Sequence, residues 1–245
     1  MTEPPKTPAA RRERGRRGWF QRAQAAVAYR VVWAVAAGLF RFRIEIEGRE
    51  RMPPGEPLIV AGAPHRNWID GFLLLMALPP EPRVIFLGSE GGLFNTWWKR
   101  AVLAVIGGFE PVSGSSALNR AALDGAVAVL ARGDRLGIFP EGWHNLGAPP
   151  ETIPPLRRGV AFIARESGRR VLPVALAGAK PLWRGKVLRV RIGDPLAPPE
   201  PDAGRAEQET WKEHLREALQ ALVPPQPPEP ADGRKPWPWL TTLLD

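Results

Sequence analysis

Three histidines occur in the chain, and one of them stands in a pattern that could do acid–base chemistry. His65 follows Pro64 at the end of an apolar strand-like run, Leu58 to Ala63, and Asp70 comes five residues later. An imidazole held by a carboxylate makes a good general base, because the carboxylate fixes the tautomer and stabilises the imidazolium that forms. In α/β proteins such a pair would sit outside the carboxyl end of a strand, where active sites collect. Read alone the pattern is short, and His65 could instead cap a helix or satisfy a buried carbonyl.

A second segment strengthens it. Gly137 to Gly142 reads as a strand ending in a Pro-Glu-Gly turn, with Glu141 presented at the strand end. Pro140 and Gly142 fix an unusual backbone there. An ordinary turn with an exposed acid is the plainer alternative for this segment. The remaining candidates are weak. Gly88 to Gly92 is neither a nucleophile elbow nor a phosphate loop. His144 lies near Glu141, but two residues do not make a metal site, and His214 is expected at the surface. There is no cysteine, so a disulfide framework and a thiolate nucleophile are excluded.

The elements that must position these residues alternate. Strands are expected at 42–47, 58–63, 83–87, 109–112, 136–139, 171–176 and 187–192. Helices are expected at 68–78, 93–106, 117–131, 157–166 and 204–223. The strand at 187–192 alternates apolar and basic residues, as an edge or half-exposed strand would. In the last helix Trp211, Leu215, Leu219 and Leu222 form one apolar face for core packing. The rhythm predicts one α/β domain over 19–223, with a mixed central sheet flanked by helices. Residues 1–18 are expected to be a basic, disordered arm and 224–245 a Pro-rich tail.

Charge gives the setting. The 245 residues carry a formal +9, and Arg11, Arg12, Arg14, Arg16, Arg17 and Arg22 crowd the segment before an apolar stretch. A basic segment beside an apolar helix suits the anionic cytoplasmic face of a membrane. The clean apolar run, Val31 to Phe40, is half of what spans a bilayer, so an interfacial membrane-docking helix over about 19–40 is expected, with a peripheral or monotopic protein. Arg16-Arg17 superficially suggests an export signal, but Arg30 breaks the apolar region and no cleavage site is evident. Nucleic acid is the other polyanion to consider, and no nucleic-acid motif accompanies the charge.

Taken together, these segments resemble the glycerolipid (lysophosphatidate) acyltransferase family. His65-Arg66-Asn67-Trp68-Ile69-Asp70 matches its His-x4-Asp motif. Phe139-Pro140-Glu141-Gly142 matches the first four positions of its Phe-Pro-Glu-Gly-Thr-Arg motif. Leu156-Arg157-Arg158-Gly159 and Leu172-Pro173-Val174 match segments that follow. The resemblance implies acyl transfer from acyl-CoA or acyl carrier protein to a lipid hydroxyl, with no resident cofactor or metal. It implies His65 and Asp70 as the catalytic pair, and Phe139, Pro140, Glu141, Gly142, Trp143, His144, Arg157 and Arg158 around the substrate. Two positions depart from the family. Gly114 and His144 stand where its phosphate-gripping arginines would be, and neither replaces a bidentate guanidinium. Arg157, Arg158 or Arg120 would then have to supply the cation. Otherwise the acceptor lacks a phosphate, as in a glycolipid, carotenoid glycoside or amino-acid lipid, and Trp143 packs on it. A family member that binds lipid without catalysis is the remaining alternative, and intact His65 and Asp70 argue against it.

Overall fold

The computed structural model describes residues 41–67, 69–89, 108–112, 120–142, 149 and 151–228, together with the single positions 34, 38, 40 and 97. Most of the expected N-terminal helix, most of the helix expected at 93–106, Trp68, Gly114, Trp143, His144 and the tail beyond 228 lie outside the described residues.

Seven strands form one sheet in the order β1-β7-β6-β2-β5-β3-β4. They are β1 (Arg43–Glu47), β2 (Ile59–Ala63), β3 (Val84–Ser89), β4 (Phe109–Val112), β5 (Arg135–Ile138), β6 (Val171–Ala177) and β7 (Val187–Ile192). Among the described residues the α-helices with set bounds are α1 (Ile69–Ala77), α2 (Arg120–Ala131), α3 (Gly159–Ser167) and α4 (Arg205–Leu222). Among the described strands β6 and β7 pair antiparallel and the other neighbours pair parallel, so the sheet is mixed, as expected. The central strands β2 and β6 are buried along their whole length and read as continuous apolar runs for that reason.

The two faces carry separate cores. On one, Phe72, Leu73 and Leu74 of α1 pack on Leu58, Val60, Val84 and Phe86. On the other, residues of α2, α3 and α4, including Val129, Val160 and Leu215, cover Ile59, Ala61 and Leu136. In α4, Leu215 and Leu219 are fully buried, as the apolar stripe predicted.

The strand 187–192 is not an edge. It lies between β1 and β6, and its alternating exposure is a difference between the two sheet faces. Its basic residues face acids in register on β1: Arg189 Nε lies 2.9 Å from Glu45 and Arg191 Nε 2.8 Å from Glu47. Alternation reports a half-wet face, whether or not a neighbour pairs the strand. Sequence alone does not separate the two cases.

Topology places the site. From β2 the chain crosses by α1 to β3 on one side; from β5 it crosses by α3 to β6 on the other. The direction of winding therefore reverses between the neighbours β2 and β5, and a crevice opens at the carboxyl ends of such a pair. Because β7 runs against β6 and β1 runs with β7, β1 begins on this same edge of the sheet. Phe40, itself helical, packs on the core there, and its carbonyl accepts a hydrogen bond from Gly185 N–H at 2.9 Å. The start of the Pro-rich tail is docked there too. Pro224 and Pro227 are buried, and the Gln226 side-chain oxygen accepts from Gly178 N–H at 3.3 Å.

Candidate active site

His65 and Phe139–Gly142 follow the paired strands β2 and β5, which run parallel with Ile59 opposite Leu136 and Ala61 opposite Ile138. The two sequence motifs, more than seventy residues apart, meet because their strands are neighbours that end on the same edge.

The first motif is built around the start of α1. Asn67 and Asp70 have the three-residue spacing of a capping box. The Asp70 carboxylate reaches back to accept from Asn67 N–H at 2.8 Å, and Asn67 Oδ1 lies 3.5 Å from Ile69 N. Asn67 is itself held by its side-chain amide, which donates to Ala179 O at 3.1 Å. An acid in the first turn is also favoured by the helix dipole. The same Asp70 oxygen accepts from Arg66 N–H at 2.7 Å and lies 3.1 Å from His65 Nδ1. Asp70 is fully buried. An oxygen that already accepts from two backbone N–H groups is an acceptor toward the imidazole as well. Nδ1 therefore carries the hydrogen, and Nε2 is left with its lone pair, the tautomer a general base needs.

The second motif holds His65 from behind. Glu141 is 6% exposed, and its Oε1 accepts from His65 N–H at 3.1 Å. Its Oε2 is buried without a hydrogen-bond partner among the described residues. Burial pushes the Glu141 carboxyl up to about 7; the nearby Asp70 adds to this, while the His65 N–H and Arg66 oppose it. The Phe139 ring lies against the imidazole, with centroids 3.8 Å apart and planes 10° from parallel. Gly142 turns the chain at φ +94°, and a Cβ there would meet Arg157 Nε at 3.2 Å.

That glycine lets Arg157 lie against the turn. Arg157 N–H donates to Pro140 O at 2.7 Å, and its Nε lies 3.4 Å from Glu141 O. The segment leading to Arg157 is strapped to α4: Gln220 Oε1 accepts from Ile153 N–H at 2.9 Å, and Lys212 Nζ donates to Leu156 O at 3.1 Å. Arg158, by contrast, pairs with Glu209 of α4 at 3.3 Å, and Arg120 with Asp124 at 3.2 Å.

His65, Asp70, Phe139, Pro140, Glu141, Gly142 and Arg157 are thus brought together. Among the described residues no three His, Cys, Asp or Glu side chains form a metal-binding group. A family model described as Acyltransferase matches residues 43–177, the stretch from β1 to the end of β6.

The chain belongs to the acyltransferase family. This acyltransferase is 25% identical over 170 residues to the 1-acyl-sn-glycerol-3-phosphate acyltransferase of Chlamydomonas reinhardtii, covering 66% of this chain and 47% of that protein. It thus spans about half the length of the curated relative it matches. In fold it is similar to the 1-acyl-sn-glycerophosphate (LPA) acyltransferase PlsC of Thermotoga maritima, with a TM-score of 0.57. The match covers 82% of this chain and 78% of that one at 19% identity, so it is a likeness of architecture.

Three features of this acyltransferase site escaped sequence reasoning. Asn67 is one, although its capping-box spacing to Asp70 was a usable signal. The contact of Glu141 with the His65 backbone is another, and the stacking of Phe139 on His65 is the third. Neither of those two has a local signature, because each joins residues from different strands.

Proposed function

We propose that this acyltransferase moves a fatty acyl group from a thioester donor, acyl-CoA or acyl carrier protein, to a lipid hydroxyl. His65 acts as general base and Asp70 orients it. The observation that carries this reading is the 3.1 Å contact between His65 Nδ1 and the buried Asp70 carboxylate, at the switch point of the sheet. His65 Nε2 takes the acceptor's hydroxyl proton, and the hydroxyl oxygen attacks the thioester carbonyl carbon. The C–S bond then breaks, and the thiolate leaves with the proton returned from Nε2. No acyl-enzyme, metal or resident cofactor takes part.

A lysophosphatidate-type acceptor is the leading substrate. The support is Arg157, whose guanidinium rests on the Gly142 turn beside Glu141 and can meet a phosphate from there. A non-phosphate lipid is the second reading, favoured by Gly114 and His144 where the family carries arginine. Transfer assays with lysophosphatidate and an uncharged glycolipid, each with both donor types, separate the two.

The same reading places the protein on the cytoplasmic face of a membrane, peripheral or monotopic, with anionic lipid as its surface partner. Among the described residues no helix is long and apolar enough to cross a membrane. The N-terminal segment, basic and then apolar, enters the fold on the sheet edge that carries His65, so a membrane under that edge would bring lipid acceptors to the base. Trp97 is helical and 81% exposed, a side chain suited to the membrane interface.

A further inference from the structure

We infer that Phe139 is a positioning residue for the transfer: its ring, seated in a slot left open by Gly62, holds the plane of the His65 imidazole. The inference rests on the reading of His65 as the base. Asp70 holds Nδ1, at one edge of the ring, and Glu141 holds the backbone N–H. Rotation about the bond to the imidazole is a broad and soft torsion, and the Asp70 contact restrains it at one edge of the ring. A second ring in face contact limits it, and Phe139 lies 3.8 Å away at 10°.

Phe139 is in turn part of a row. Its ring stacks with Phe86 at 5.7 Å and 18°, and Phe86 with Phe109 at 5.4 Å and 23°. Phe109 meets Phe72 of α1 at 5.5 Å and 49°. The row thus runs from the base across β5, β3 and β4 into the core. Two glycines make room for it. A Cβ on Gly62 of β2 would fall 3.0 Å from Phe139 Cε1 and 2.6 Å from Leu74 Cδ1. A Cβ on Gly137 of β5 would fall 2.4 Å from Phe86 Cε1. Neither glycine has a positive φ, so the backbone does not require them; the rings do. An imidazolium formed during transfer would also face the π-cloud of Phe139, which favours the cation.

The test uses the full chain in detergent micelles. His65, His144 and His214 are its three histidines, so the imidazole proton spectrum is simple, and His65 is assigned by its loss in His65→Gln. The stacked ring should displace the His65 carbon-bound protons upfield in the wild-type protein. Phe139→Leu should remove that displacement and lower kcat by about 10- to 100-fold, the scale of a misplaced catalytic group. KM for both substrates should stay near the wild-type value, and Phe139→Tyr should restore both the displacement and most of kcat. An undisplaced His65 signal in wild type overturns the inference without any Phe139 variant. So does an unchanged kcat in Phe139→Leu, or a loss confined to KM for the acceptor, which would make the ring a substrate contact. If His65→Gln itself retains turnover, the base reading fails instead.

Discussion

A single oxygen of Asp70 accepts from Arg66 N–H, Asn67 N–H and His65 Nδ1, so one buried carboxylate caps helix α1 and fixes the imidazole tautomer together. The His-x4-Asp spacing follows from this double duty. Asp70 must stand three residues after the capping Asn67, and the two residues before Asn67 place the imidazole above the carboxylate. Asp70→Asn should therefore keep the helix start but present an amide N–H or a flipped tautomer to His65. A large fall in kcat is expected, on the order of the 10⁴-fold cost of the wrong tautomer in a triad, with a much smaller change in melting temperature. Parallel activity and unfolding measurements check it; a loss of stability proportionate to the loss of activity would show the carboxylate to be structural only.

Glu141 gives a pH dependence whose sign is fixed by its burial. Its carboxyl titrates near 7 in the fold, against 4.5 for an ordinary glutamate. Between those values the folded chain holds a proton that the unfolded chain has released. Glu141 therefore favours the fold below about pH 4.5, and this contribution is lost as pH rises through about 7. The full loss is on the order of 3 kcal/mol. Glu141→Gln keeps an oxygen for His65 N–H and cannot ionise. Its melting temperature relative to wild type should rise with pH across this window and level off above it. A difference that does not vary with pH would contradict the burial argument.

Arg135 anchors the opposite edge of the sheet. It is fully buried at the start of β5, and its guanidinium donates to Glu56 O at 3.1 Å, Pro79 O at 3.4 Å and Pro82 O at 3.1 Å. Desolvation holds its pKa below the usual arginine range, with Glu81 and Glu56 opposing. Arg135→Ala should cost about 3 kcal/mol or more, because three carbonyls lose their donor and a cavity remains. Denaturant unfolding measures this, and a loss under about 1 kcal/mol would mean that water replaces the guanidinium without penalty.

Much of this architecture could be read in the sequence, and the rest fails for one physical reason. Strand and helix periodicity is local, so β2, β5, β6 and α4 fall where apolar spacing puts them. The motif residues His65, Asp70 and Glu141 are visible because each ends a strand or begins a helix. Sheet order is non-local. The interior place of β7 depends on Glu45 and Glu47 arriving from β1, more than 140 residues away in sequence. The burial of Arg135 has no local signal, since nothing nearby in sequence shows that the Pro79 and Pro82 carbonyls will converge on it. The stacking of Phe139 on the imidazole has no local signature either, because the two rings follow different strands.

Arg157 tests the acceptor. Its guanidinium lies against Glu141 O and the Gly142 turn, whereas Arg158 is tied to Glu209. Arg157→Ala should raise KM for lysophosphatidate by about tenfold or more, the value of a charge-assisted phosphate contact, and leave an uncharged acceptor unaffected. Arg158→Ala should do neither. Efficient transfer to a glycolipid with none to lysophosphatidate, from either donor, would move the proposal to the non-phosphate reading.

Turnover of His65→Ala in purified, folded protein tests the central claim most directly. With the base removed, the hydroxyl must attack unassisted, and the rate should fall by at least about 10²-fold while the unfolding transition stays close to wild type. Near-wild-type turnover by folded His65→Ala would contradict the account.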